Sequence, residues 1–107
     1  MTITIEKMLN PVVGALVAAI NAGDRSAFEA VLAPGATMSD DGTDRDLGTW
    51  IDREIFSSNG HMAVQSQSDG GLALVALFRN DTWGEMRTAW RFVVTDGAVS
   101  RFETGQA

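Results

Sequence analysis

The chain has 107 residues, 45% of them hydrophobic. That suffices for one domain, residues 1–107, burying about two thirds of the surface its unfolded form exposes, and a second domain is not expected. Fourteen acids against eight bases give a formal net charge of −6, and the arginines are scattered from Arg25 to Arg101 without a basic run. Nucleic acid and acidic membrane surfaces both call for clustered positive charge, so neither is an expected partner. With no cysteine there is no disulfide framework, no thiolate nucleophile and no cysteine-type zinc site.

In chain order, the first helical pattern places Val13, Leu16, Val17 and Ile20 on one face, with Pro11 at an early helical position and Gly23 as the stop. Its apolar run from Val12 to Ile20 follows Glu6, Lys7 and Pro11 and is far shorter than the ~20 residues of a membrane span. It reads as a core helix of a soluble cytoplasmic protein. A short second helix follows, capped by Asp24 or Ser26, with Ser26 and Glu29 at capping-box spacing and Phe28, Val31 and Leu32 as its apolar face. Pro34 and Gly35 are expected to end it. A short extended piece, Ala36 to Ser39, leads into the acidic loop DDGTDRD. Leu47, Trp50, Ile51 and Ile55 then mark a third helix that stops at SSNG.

Beyond Phe56 the pattern turns to strands: His61 to Ser68, Leu72 to Arg79, Glu85 to Thr95 and Ala98 to Thr104. Asp69-Gly70-Gly71 and Asp96-Gly97 supply hairpin turns, so an antiparallel meander is expected. In the third of these strands Met86, Thr88, Trp90, Phe92 and Val94 alternate with Glu85, Arg87, Arg91 and Val93; in the fourth, Ser100, Phe102 and Thr104 alternate with Val99, Arg101 and Glu103. The Trp90 and Phe92 face is the natural inner face. The charged face suits cross-strand ion pairs or a partner subunit.

This order of elements, with NAGD, APGATMSDDGT, the amphipathic helix after it and the late hairpin AWRFVVTDGAVSRFE, resembles the NTF2-like superfamily, which includes the SnoaL-like polyketide cyclases, ketosteroid isomerases and limonene-epoxide hydrolases. The resemblance covers nearly the whole chain. It implies an α+β cone, with three N-terminal helices packed on a curved, mostly antiparallel sheet and an apolar pocket between them. Fold alone does not assign chemistry, so each residue is weighed separately.

Asp40 in ATMSD is similar to the segment that delivers the catalytic Asp base in ketosteroid isomerases; as an ordinary residue it would simply turn the chain before Gly42. Those isomerases also use a Tyr and a protonated Asp, and this chain has no Tyr. The epoxide hydrolases use an Asp, Arg, Asp relay, but Asp44-Arg45-Asp46 is a run of loop neighbours pointing in different directions. The acids from Asp40 to Glu54 lack the spacing of a calcium loop and read as a solvated cap for the third helix, so no metal and no cofactor are expected. His61, the single histidine, is a candidate acid–base partner for Asp40 across the pocket.

Trp50, Met86, Thr88, Trp90, Phe92, Ser100 and Phe102 are the expected ligand-binding wall. Trp90 offers a flat surface and an N–H donor, while Trp83 suits a pocket cover or a dimer contact. The expected function is binding of a small apolar or aromatic molecule by a homodimer built on the outer sheet face, with cofactor-free proton transfer, cyclisation or hydration if the chain is catalytic. Two alternatives are a non-catalytic binding or sensor domain, and a structural dimerisation module whose pocket is filled by Met86, Trp90, Phe92 and Phe102.

Overall fold

The computed structural model describes residues 2–107. Asn10 opens helix α1 (Pro11–Ala22): its side chain accepts hydrogen bonds from the backbone N–H of Val12 at 3.0 Å and Val13 at 3.1 Å. Pro11 takes the first helical position, where its missing N–H has no intrahelical partner to lose. Gly23 ends the helix in the left-handed region, at φ 64°. Val13, Leu16, Val17 and Ile20 are buried as the periodicity requires, each such side chain contributing about 1.5–3 kcal/mol.

Asp24 caps helix α2 (Arg25–Ala30) by accepting from Ala27 N–H at 3.0 Å, which puts Ser26 inside the helix instead of at its cap. Strand β1 (Leu32–Asp40) follows at once, so Pro34 and Gly35 do not terminate a helix but lie inside a strand. They fall where the register with the neighbouring strand shifts between Leu32 and Thr37, an irregularity that tolerates a residue without an N–H. The acidic loop is a hairpin: Asp41 and Gly42 turn at φ 50° and 81°, and β2 (Thr43–Arg45) pairs back onto β1. Asp46 caps α3 (Leu47–Ile51) through the N–H and hydroxyl of Thr49, at 3.0 and 2.7 Å. The helix then widens into a π turn, Asp52–Phe56, in which Ser57 N–H reaches the Asp52 carbonyl at 2.7 Å.

Strands β3 (His61–Ser68), β4 (Ala73–Asn80), β5 (Gly84–Thr95) and β6 (Ala98–Gln106) form the expected meander. The sheet order is β2-β1-β6-β5-β4-β3, and among the described residues only the β1–β6 pair is parallel. Three helices thus cover one face of a curved, mostly antiparallel six-stranded sheet. Between them lies an aromatic core in which Phe102 is ringed by Phe28, Trp50, Trp90 and Phe92, with centroids 6.0–6.4 Å away.

Simple alternation fails in one place on the last strand. The register of β5 with β6 shifts between Val93 and Val94, so Val99 rather than Ser100 enters the core, and Val99 is fully buried. Ser100 is turned to its own strand edge, where its hydroxyl lies 3.2 Å from both the Val93 carbonyl and the Thr95 hydroxyl. The charged outer face forms ion pairs, although not between directly opposed residues. Arg91 sits opposite Glu103 yet bonds Asp69 at 3.1 Å, and Arg101 holds Asp44 at 2.7 Å and Glu103 at 3.2 Å.

Candidate functional site

A cavity of about 260 Å³ opens between the helical layer and the sheet. Its aromatic wall is Trp50, Phe78, Trp83 and Trp90, with Met86, and its polar groups include Asp40, Asp41, Glu54, Thr88 and Thr104. Asp40 arrives at the end of β1, opposite Thr104 on β6. Its Oδ2 accepts a hydrogen bond from Trp50 Nε1 at 3.0 Å, so one carboxylate oxygen is fixed by α3. Gly105 makes this corner possible: a β-carbon there would lie 2.6 Å from Asp41 Oδ1. That same Asp41 oxygen accepts from Gln106 N–H at 3.1 Å.

Opposite in sequence but on the same cavity stands Glu54, carried by the π turn. Lying four residues after Trp50, it continues that residue's helical stripe. π turns recur at functional sites because they break the regular ladder locally. Glu54 Oε1 accepts from Trp83 Nε1 at 3.0 Å. Its Oε2 is buried without a hydrogen bond; the exposed Arg53 places Nε 3.5 Å away.

The Trp83 loop is held by Asn80, which is 2% exposed. Asn80 Oδ1 accepts from Trp83 N–H at 2.8 Å and Asn80 Nδ2 donates to the Glu54 carbonyl at 2.9 Å. The backbone of Asp81 also donates to the Ser58 carbonyl at 2.8 Å. Gly60 packs beneath the same π turn, since a β-carbon there would come 2.9 Å from Ile55 Cα. Trp83 is therefore fixed at the rim of the cavity, which it lines while remaining 62% exposed.

On the sheet, Trp90 Nε1 donates to Thr88 Oγ1 at 2.8 Å, and the Thr88 hydroxyl donates to the Ala76 carbonyl at 3.0 Å. The indole N–H expected to serve a ligand is thus occupied within the protein. The same holds for Trp50 and Trp83.

Of the residues expected from sequence, Asp40, Trp50, Met86, Thr88 and Trp90 come together on this cavity. Phe92 and Phe102 do not line it: they lie behind Trp90 in the core, 2% and 0% exposed. Ser100 is removed by the bulge just described. His61 is not on the cavity either and does not meet Asp40; its neighbour Met62 takes the buried position, and the His61 ring lies 3.0 Å from the Asn59 carbonyl. Glu54, Asp41, Phe78 and Thr104 were missed. The signal for Glu54 was an acid within the apolar stripe of the third helix. Among the described residues no cluster of three metal-ligating side chains occurs, and no helix is long and apolar enough to cross a membrane.

No family model matches the chain, and no curated protein matches it in sequence. Solved structures do match it in shape. A candidate polyketide cyclase from Sinorhizobium meliloti superposes with a TM-score of 0.73 at 18% identity, over 88% of this chain and 93% of that one. A Mycobacterium tuberculosis protein in complex with estradiol-17β-hemisuccinate gives 0.73 at 14%, over 90% and 91%. The Δ5-3-ketosteroid isomerase of a Mycobacterium species gives 0.72 at 15%, over 90% of each chain. The helical layer, the curved sheet with its one parallel pair and these superpositions agree: the chain has the NTF2-like fold.

Proposed function

We propose that this protein binds a small, largely apolar or aromatic molecule in the cavity beside Asp40, and that Asp40 acts on it as a proton acceptor without a cofactor. The observation that carries this reading is the setting of Asp40: a carboxylate with one oxygen fixed by the Trp50 indole, on a cavity walled by four aromatic rings. A base must be held within hydrogen-bond reach of the proton it takes, and a fixed carboxylate meets that requirement. Its volume lies just below the ~300–1,000 Å³ range usual for small-molecule sites, so the ligand is small. The ketosteroid isomerase and the candidate polyketide cyclase sharing the fold make proton transfer and cyclisation the reactions to test first, with hydration after them. Asp41 and Glu54, and not His61, are the other titratable groups available to such a reaction.

All three tryptophans line the cavity, so intrinsic fluorescence reports occupancy directly. A panel of small aromatic ketones and alcohols is expected to quench or shift the emission. No response to any member would favour the structural module with a packed interior. For catalysis, proton NMR in deuterated water should show exchange at the carbon beside the carbonyl of a bound ketone with the native protein and not with Asp40→Asn. Binding without exchange would support the sensor reading, which one observation favours: every indole N–H on the cavity is already bonded, so none of them is preset for an enolate oxygen.

We further propose a homodimer through the outer sheet face. The centre of that face is small and apolar, with Ala73, Val75, Ala89 and Gly105 forming an open groove rimmed by Arg91 and Glu103, and Val93 half exposed beyond it. Sedimentation at micromolar concentration showing only an 11.4 kDa species would refute this assembly.

A further inference from the structure

Among the described residues three acids line the cavity, Asp40, Asp41 and Glu54, and no Lys, Arg or His does. The nearest base is Arg53, which touches Glu54 Oε2 from outside and is 59% exposed in its side chain. Every indole N–H that could have served a ligand acceptor is spent on Asp40, Glu54 or Thr88. What remains on offer is the second oxygen of Asp40 and aromatic surface, with two uncharged groups beside them, the Thr104 hydroxyl and the Gln106 amide.

From this pattern we infer that the ligand carries a positive charge, as a protonated or quaternary amine held between the aromatic rings and the carboxylates. The inference rests on the proposal that the cavity is a binding site and narrows its ligand class.

Two physical arguments favour a cation over a neutral apolar ligand. The first concerns the walls. Trp90 has Trp50 at 6.3 Å and Phe78 at 6.1 Å, both inclined to its plane, at 73° and 48°, and Trp83 and Met86 complete the enclosure. Three tryptophans line the cavity, and tryptophan is the strongest cation–π partner.

The second concerns desolvation. A neutral ligand would strip water from the second oxygen of Asp40 and give nothing back, and it would bring no charge partner to Glu54, whose Oε2 is already buried without a hydrogen bond. A cation offsets that cost, and an organic one suits the cavity better than a metal, for which the described residues offer no three-ligand cluster. The chain's net charge of −6 also attracts cations from a distance.

Choline and its uncharged carbon isostere 3,3-dimethylbutan-1-ol separate charge from shape. Titrations followed by tryptophan fluorescence and calorimetry are expected to show choline binding at least about tenfold tighter. Glu54→Gln should narrow that ratio, as should Asp40→Asn, which serves as a second test should the first variant misfold. If the alcohol binds as tightly as choline, the charge inference is overturned while the cavity reading stands. If neither binds at tens of millimolar, both are overturned.

Discussion

Replacing Asn80 with leucine should separate the rigidity of the cavity cover from its chemistry. Leucine keeps the branched shape of a side chain that is only 2% exposed, with bulkier ends, but removes both of its bonds, the one to the Glu54 carbonyl at 2.9 Å and the one from Trp83 N–H at 2.8 Å. Stranding a buried carbonyl costs about 1–3 kcal/mol, and the Trp83 amide, nearer to water, about 0.5–1.5 kcal/mol. Together these predict a loss of about 1.5–4.5 kcal/mol, or a fall in Tm of roughly 7–20 °C for a domain of this size. Urea unfolding at fixed pH measures the first and calorimetry the second. The slope of the urea transition should stay constant, because the surface exposed on unfolding does not change. Trp83 emission should also shift to the red as its loop loosens. A stability change below about 0.5 kcal/mol, or a large one without any effect on Trp83, would refute the view that Asn80 ties the loop to the π turn.

Three other outcomes are expected. Gly60→Ala drives a β-carbon to 2.9 Å from Ile55 Cα and 3.1 Å from both the Ile55 carbonyl oxygen and the Phe78 ring, so it should cost about 1–3 kcal/mol in urea unfolding and displace the turn that carries Glu54. Thr88→Val leaves the Trp90 N–H without an acceptor in a buried site and should cost about 1–3 kcal/mol by the same measurement, whereas Thr88→Ser should cost less. Acid should loosen the β1–β2 hairpin. The hydrogen bond from Arg101, and then its charge, hold Asp44 below its ordinary pKa, and the Thr49 hydroxyl and then its N–H do the same for Asp46. A depressed carboxylate pKa contributes stability that is complete above the ordinary value and is lost as the pH falls through the folded one, so the loss should develop below about pH 4. Amide exchange or NMR shifts of Thr43 and Arg45 would follow it, and Arg101→Ala should remove the Asp44 part.

Local chemistry made the architecture readable. Pro11, Gly23 and the spacing of Val13, Leu16, Val17 and Ile20 delimit α1, and Asp96-Gly97 with its alternating flanks delimits the last hairpin. What could not be read were departures from periodicity that depend on distant partners. Pro34 resembles a helix stop until β6 lies alongside it, and Ser100 belongs inside by alternation until the bulge opposite Val93 and Val94 turns it away. The site divided along the same line. Asp40, Trp50, Thr88 and Trp90 follow from strand faces and a helical stripe. Glu54 was passed over because a carboxylate in an apolar stripe ordinarily marks solvent, and only its Trp83 contact across the β4–β5 loop shows otherwise.

The single parallel pair carries a consequence for the order of assembly. Asp40 reaches its place only when β1 lies along β6, and β2, α3, β3, β4 and β5 all fall between those two strands. The β3–β4–β5–β6 meander can zip from neighbouring hairpins, but closing the β1–β6 seam requires a long loop whose entropy must be met before the contact rewards it. The corner holding Asp40, Thr104 and Gly105 should therefore be among the last parts to set in folding and among the first to breathe. Folding φ-values near 0 at Met38 and Phe102, against higher ones at Phe78 and Met86, would reveal that sequence.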